Sequence, residues 1–341
     1  MPRHFLSTLD WSREEIASLL DDALAHKAAR KTRRDLAGKT AALVFFNPSL
    51  RTRSSFEIGL FELGAHAVVL EPGKGAWPIE FEDGVVMDGD PEEHVEEVAR
   101  VLSRYCDLIC VRAFPKFVDW AIDREDRVIE AFARFSTVAV LNMETITHPC
   151  QELAMLLTLK ERLGSFAGKK MVLTWTYHPK PLNTAVANSA LIAATKMGFD
   201  VTLLCPTPEY VLDERYMNAA RGFARDNGQT VTISHDVDEA YAGADIVYAK
   251  SWGALPYFGN WGLEKPIRDA HKHFRVDERK MELAAKTGGK ALFSHCLPLR
   301  RNVKATDGVV SSPSSLVIDE AENRLHAQKA IMCKLLSEGR Q

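Results

Sequence analysis

Apolar positions along this chain change period repeatedly, and the changes mark out its elements. Ser12 and Glu15 form a capping-box pattern ahead of Ile16, Leu19, Leu20 and Leu24, so a first helix is predicted to start near residue 12. Ala41 to Phe46 (AALVFF) is a short unbroken apolar run, the pattern of a strand covered on both faces. A polar segment follows, then a helical pattern over Arg53 to Leu63 and a strand over His66 to Leu70. Further on, the pattern predicts a helix over 92–105, a strand over Leu108 to Ala113, a helix over 124–135 and a strand over 138–142. After a helix near 149–163, a second series places strands at 171–176, 201–205, 230–234, 245–249 and 291–295, with helical patterns between them.

Strand–helix alternation run through twice predicts an α/β protein with two doubly wound domains, each around a mostly parallel central sheet. The boundary expected is 1–147 for the first domain and 148–319 for the second. A last helical pattern at roughly 319–338 is surplus to the second series and is expected to cross back, so that 320–341 completes the first domain. The stretch Glu71 to Asp90 has little periodicity and reads as a long structureless loop, a feature that is usually functional in a small domain. It carries Trp77, which needs a ligand or a neighbouring subunit to cover it.

Composition narrows the function classes. A chain of 341 residues suits two domains, and a formal net charge of -3 lacks the strongly basic footprint of a nucleic-acid protein. The basic run Lys27 to Arg34 is read as the solvated end of the first helix. Met1 to Leu6 lacks the apolar core of a secretory signal, and no apolar run reaches membrane-spanning length, so no membrane partner is expected. Six cysteines without a C-x-x-C pair read as reduced, mostly buried thiols of a cytoplasmic protein. His271 and His273 have no accompanying Cys or carboxylate set, so neither a metal nor a cofactor is implied.

In open parallel sheets, ligands bind beyond the carboxyl ends of the strands. Directly after the first predicted strand comes Asn47-Pro48-Ser49-Leu50-Arg51-Thr52-Arg53. Ser49 can cap a helix whose free N–H groups, two hydroxyls and two guanidinium groups suit a phosphate-like dianion. Two arginines at a helix N-terminus oppose the dipole, which makes sense if an anion binds there. A plain capped surface helix is the alternative. Arg112 ends the third strand, and Glu144, His148 and Gln151 follow the fourth. His, Gln and Arg together could polarise a carbonyl and bind an amide-like NH2. Cys296 follows the last strand without the spacing of a catalytic triad, so its backbone and bulk are the expected contribution. A dinucleotide-binding oxidoreductase is the rival on the same sheet type, but Asn47 to Arg53 holds no G-x-G-x-x-G, and Pro78 falls where Gly73 and Gly75 would need a third glycine.

Ser49-Leu50-Arg51-Thr52-Arg53 with Ser54-Ser55-Phe56-Glu57, then His148-Pro149-Cys150-Gln151, then His295-Cys296-Leu297-Pro298, together resemble the transcarbamylase family in its own motif order over nearly the whole chain. That resemblance implies a carbamoyl-phosphate domain first, an amine-substrate domain second, and a homotrimer with sites shared between subunits. It implies that Ser49, Leu50, Arg51, Thr52, Arg53 and Arg324 hold the phosphate. Arg112 would bridge phosphate and carbonyl oxygen, His148 would bond that oxygen, and Gln151 would take the NH2 with backbone carbonyls near Cys296 and Leu297. Trp77 would reach a neighbouring subunit's site.

The acceptor is addressed by a second set of residues. Ornithine-type members carry an Asp where this chain has Val247, and a Met where it has Trp252. A free α-ammonium desolvated beside Val247 and Lys250 would lack a counter-ion, whereas an acylated nitrogen needs none. The stretch His178 to Asn183, the loop around Trp77, and Lys304 resemble the branch of the family whose acceptor is N-acetylornithine, in arginine biosynthesis. By that resemblance Glu144, His178, Asn183, Lys250 and Arg300 contact the acceptor, and Lys304 is carboxylated. Glu92 would repel a succinyl carboxylate and tolerate an acetyl group. The alternatives are a first-turn helix carboxylate for Glu92, a plain surface lysine for Lys304, and succinylornithine or ornithine as acceptor.

Overall fold

A computed structural model describes residues 2–285 and 289–338 of the chain. Met1 and residues 339–341 of the stretches read above lie outside them. The chain forms two units: Met1–Pro115, Ala121–Cys150 and Arg324–Gln341 in one, Lys116–Trp120 and Gln151–Asn323 in the other.

The first unit contains strands β1 (Thr40–Phe45), β2 (His66–Leu70), β3 (Ile79–Glu80), β4 (Glu93–His94), β5 (Leu108–Arg112) and β6 (Ala139–Glu144). Its main sheet is parallel, in the order β2-β1-β5-β6. The apolar run of β1 is buried on both faces, as expected of a central strand. Ala42, Val44, Ile109, Val111 and Val140 pack with Val95, Ala99, Ile129 and Phe132 from the helices Val95–Tyr105 and Arg127–Phe135. The N-terminal segment extends the β6 side, where Phe5 N–H donates to Val140 O at 2.8 Å.

The second unit's parallel sheet has the order β11-β10-β7-β8-β9. Its strands are β7 (Lys170–Trp175), β8 (Asp200–Leu204), β9 (Val231–Ser234), β10 (Ile246–Lys250) and β11 (Leu292–Ser294). The helix Ala185–Met197 is buried along its whole length, which its Ala-, Val-, Leu- and Ile-rich sequence permits on every face. It stops at Gly198, whose φ of 98° suits a residue without a Cβ. The helix Val317–Glu338 starts in the second unit and passes into the first at Arg324.

The two-sheet α/β reading, with a returning final helix, therefore holds. Local expectations needed correction. The helix after β1 spans Leu50–Glu62 rather than starting at Arg53, because the Ser49 side chain caps it directly. The helix expected over 92–105 begins at Val95, because Glu93 and His94 pair as β4 with β3. That over 124–135 begins only at Arg127, after a left-handed Asp126, and a separate short helix, Trp120–Asp123, precedes it. Residues 71–90 are not structureless either. Gly73 N–H closes a turn onto Ala76 O at 2.8 Å, and the Phe81 ring stacks edge-on against Phe46.

Candidate functional site

Each sheet has one place where consecutive strands depart in opposite directions, and such a reversal opens a crevice at the carboxyl ends. In the first unit it lies between β1 and β5, in the second between β7 and β10. Ser49 to Arg53 follow β1, Arg112 ends β5, His178 and Asn183 follow β7 and Lys250 ends β10, while Glu144, His148 and Gln151 come at and after the end of β6 and Cys296, Arg300 and Lys304 after β11.

At the first reversal, Ser49 has extended backbone and its Oγ accepts from Thr52 N–H at 3.1 Å, which starts the helix Leu50–Glu62. No acidic residue occupies that first turn, so nothing local offsets the helix's positive end. Thr52 is buried, and its hydroxyl accepts from Arg324 Nη2 at 2.6 Å, which ties the final helix to this turn. Burial pulls the Arg324 guanidinium below its ordinary pKa, and the charges of Arg51 and Arg112 push the same way. Glu144 opposes that shift. Arg51, Arg112 and the Glu144 carboxylate thus all lie within electrostatic reach of Arg324.

Arg112 is buried, donates through Nη1 to Glu144 Oε2, and lies over the Phe114 ring at 4.6 Å. Its Nε is buried without a hydrogen-bond partner, as is the Nε of Arg324. The ladder between β5 and β6 shifts register at Val111/Arg112, which brings Arg112 opposite Glu144. His148 presents Nε2 to the same Glu144 oxygen at 3.3 Å. Glu144 is therefore the hub of this cluster, although its sequence position suggested only a contact with the acceptor.

The remaining first-unit candidates are placed differently. Arg53 is exposed, with Nε bonded to Glu57 Oε1 at 2.9 Å and Nη1 3.6 Å from Glu71. Leu50, Trp77 and Glu92 are exposed in this unit. Glu92 precedes the helix Val95–Tyr105 by three positions, so the helix-turn alternative for it is excluded.

In the second unit, Gln151 donates through Nε2 to Glu320 Oε1 at 2.5 Å, while its buried Oε1 lacks a hydrogen-bond partner. Tyr248 hydroxyl donates to the same Glu320 oxygen at 2.8 Å. After β10, Lys250 Nζ lies 3.5 Å from Cys296 Sγ. Val247 is fully buried inside β10, paired with Val172 and Phe293, so Lys250 rather than Val247 stands at the strand end. Trp252 is likewise core, its Nε1 donating to Tyr210 O at 2.8 Å. Leu297 holds a left-handed φ of 54°, uncommon for a branched residue and a common companion of functional loops. Its N–H donates to His295 Nδ1 at 2.9 Å.

Lys304 is buried, which excludes the plain surface lysine. Its Nζ sits 3.4 Å from His295 Nε2. Burial first, then Lys250 and Arg300, lower its pKa to about 7. His295 Nδ1 accepts from the Leu297 N–H, so Nε2 is the ring atom that faces Lys304. His178 follows β7, and its Nδ1 lies 2.7 Å from Lys180 O. Burial lowers its pKa to about 4, opposed by the Lys180 backbone bond and aided by Lys304, Arg300 and Lys250. Those electrostatic partners bring His178, Lys250, Arg300 and Lys304 into one neighbourhood. Arg300 itself is exposed. Asn183 is buried, with Oδ1 accepting from Ala185 N–H at 3.1 Å. In the sequence His295 stood only as part of the motif His295-Cys296-Leu297-Pro298, with no role of its own assigned.

Among the described residues no helix is long and apolar enough to cross a membrane. A family profile described as the aspartate/ornithine carbamoyltransferase carbamoyl-P binding domain matches residues 3–161, and one described as its Asp/Orn binding domain matches residues 172–335. The chain is 66% identical over 340 residues to an N-acetylornithine carbamoyltransferase of Xanthomonas campestris pv. campestris, covering 99% of each. An N-succinylornithine carbamoyltransferase of Bacteroides fragilis is 38% identical over 301 residues, 87% of each chain. Among solved structures, acetylornithine transcarbamylase complexed with acetylcitrulline matches with a TM-score of 0.95 at 66% identity, over 98% of this chain and 99% of that one.

Proposed function

Because the chain belongs to the aspartate/ornithine carbamoyltransferase family, we propose that it carbamoylates the side-chain amine of N-acetyl-L-ornithine, with carbamoyl phosphate as donor. The products are N-acetyl-L-citrulline and phosphate. The observation that carries the reading is Arg324, bonded to Thr52 at the turn after β1, with Arg51, Arg112 and Glu144 within its electrostatic reach.

The chemistry follows from the charges. A neutral amine attacks the carbonyl carbon, the C–O bond to phosphate breaks, and the amine's proton leaves on the phosphate. Negative charge grows on the carbonyl oxygen and on the leaving group, where fixed cations and donors stabilise it most. We assign the phosphate to Ser49, Leu50, Arg51, Thr52, Arg53 and Arg324. Arg112 and His148 take the carbonyl oxygen, and a dianion binding there would compete with Glu144 for both. The unpartnered Oε1 of Gln151 suits the carbamoyl NH2, together with carbonyls near Cys296 and Leu297.

The acceptor falls to Glu144, His178, Asn183, Lys250 and Arg300, with Lys250 and Arg300 supplying charge for an α-carboxylate. Lys304, with its pKa brought down to about 7 by burial, can add to CO2 as the neutral amine and lose one proton to give a carbamate, which would place an anion near Lys250 and Arg300. Trp77 and Glu92, exposed in the single chain, are assigned to a neighbouring subunit's site in a homotrimer. Most donor contacts fall to 1–147 with 320–341 and most acceptor contacts to 148–319, while Glu144, His148, Gln151 and the carbonyls near Cys296 and Leu297 cross that division. The setting proposed is arginine biosynthesis in the cytoplasm.

The test is product identity by mass spectrometry, with carbamoyl phosphate and an equimolar mixture of ornithine, N-acetylornithine and N-succinylornithine. N-acetylcitrulline should dominate; a preference for citrulline or succinylcitrulline would overturn the acceptor assignment. Sedimentation should give three copies per particle.

A further inference from the structure

The helix Trp261–Ala270 carries a buried ion pair for which stability offers no reason. Glu264 is fully buried, and Arg268, one turn on, nearly so. Removing two charges from water is costly, and an apolar pair of similar volume usually stabilises a fold as well or better. What an apolar pair could not do is reach backbone polar groups, and this pair reaches several.

Arg268 donates through Nη1 to Glu264 Oε2 and through Nη2 to the carbonyl of Pro179 at 3.2 Å. Glu264 Oε1 accepts from the Tyr210 hydroxyl at 2.7 Å, and the carboxylate also accepts from the Ala254 backbone N–H. Tyr210 in turn accepts from Trp252 Nε1 through its carbonyl. Two more contacts from the same helix point the same way. Asp269 Oδ1 accepts from Tyr177 hydroxyl at 2.9 Å. Trp261 lies so close to Gly253 that a Cβ there would come within 2.8 Å of its ring. Gly253 N–H meanwhile donates to Leu182 O at 2.9 Å.

The segments held in this way are residues 177–183, which follow β7, and 250–254, which begin with the last residue of β10. They flank the reversal of strand order in the second sheet, and they carry His178, Asn183 and Lys250. We infer that Glu264 and Arg268 are positioning residues for the acceptor: one buried pair fixes both segments and thereby sets acceptor affinity without contacting the substrate. The inference rests on the acceptor assignment proposed above.

The experiment compares the intact enzyme with Glu264→Gln, Arg268→Lys and Tyr177→Phe. Each is read by KM for N-acetylornithine, by carbamoyl-phosphate affinity in calorimetry, and by thermal melting. Arg268→Lys keeps the charge but shortens the reach to Pro179 O, and Glu264→Gln keeps the shape. Losing a hydrogen bond to a charged group should raise acceptor KM about tenfold. Tyr177→Phe removes a half-exposed hold on the same segment, is safe for folding, and should raise it about threefold. Carbamoyl-phosphate affinity should stay within about twofold in all three. Unchanged acceptor KM in Tyr177→Phe and in whichever buried variants fold would overturn the inference, as would a parallel loss of donor affinity. A wild-type enzyme inactive on N-acetylornithine would instead defeat the acceptor assignment, which separates the two failures.

Discussion

Two side chains carry the sharpest expectations at the residue scale. Arg51 belongs to a cationic cluster in which burial first, and the charges of Arg51 and Arg112 after it, lower the pKa of Arg324, so deleting one guanidinium relieves repulsion in the free enzyme and removes a donor from the bound anion. Arg51→Ala should therefore melt no lower than wild type, yet lose measurable carbamoyl-phosphate binding in calorimetry and nearly all turnover. Normal turnover in that variant would rule out the anion cradle. Lys304 has a folded pKa of about 7, below the ordinary 10.5. Between those values the unfolded chain binds a proton that the native chain does not, so this lysine makes stability rise with pH through that window, and its burial penalty is fully present below it. Only the neutral amine adds CO2, so intact mass spectrometry in bicarbonate should find the mass of one CO2 added at pH 8 but not at pH 6. Lys304→Ala should abolish the adduct; an adduct that persists in that variant would place it elsewhere. The sequence could suggest Lys304 only by resemblance, because its burial and its place beside His295 depend on tertiary packing.

Periodicity and capping signals made most elements legible in advance. Among the described residues, the strands of the two main sheets fall within a residue or two of their predicted runs; central strands such as β1 and β5 are buried on both faces and so apolar throughout, while the edge strands β2 and β9 are partly exposed. The capping box at Ser12 also formed: Glu15 N–H donates to Ser12 Oγ at 3.2 Å, and Ser12 N–H donates to Glu15 Oε2 at 2.8 Å. Ser12→Ala should cost about 1 kcal/mol in urea or thermal unfolding. It should leave kcat/KM unchanged, since no residue of either cluster touches it; a variant as stable as wild type would mean that Arg3, which also pairs with Glu15, holds the turn alone. The misread elements share a cause. Short β3 and β4 have no periodicity to detect, and the break at Asp126 turns on a left-handed backbone that a residue other than glycine does not advertise. The pair Glu264–Arg268 was invisible for a different reason. A charged i,i+4 pair in a helix reads as solvated surface unless burial is known.

Across the whole molecule, buried histidines set the response to acid. His26, His178 and His326 are buried and have pKa values lowered to about 4 from an ordinary 6.5, each mainly by desolvation. As pH falls below about 6.5, the unfolded chain takes up protons that the native chain refuses until about 4. Their contribution is thus fully favourable above that window and is lost as pH drops through it, with a slope that approaches one proton per histidine. The load is uneven. His26 and His326 lie in the first unit, while His178 lies in the second. Hydrogen exchange at pH 5 compared with pH 7 should therefore show protection falling further in the helices Arg13–Ala28 and Val317–Glu338, which carry His26 and His326, than in β7 and β8. Replacing His326 with Asn, which keeps a polar side chain but cannot titrate, should flatten the first unit's acid response by about one proton. Equal loss in the two units, or earlier loss in the second, would show that carboxylates rather than these histidines govern acid unfolding.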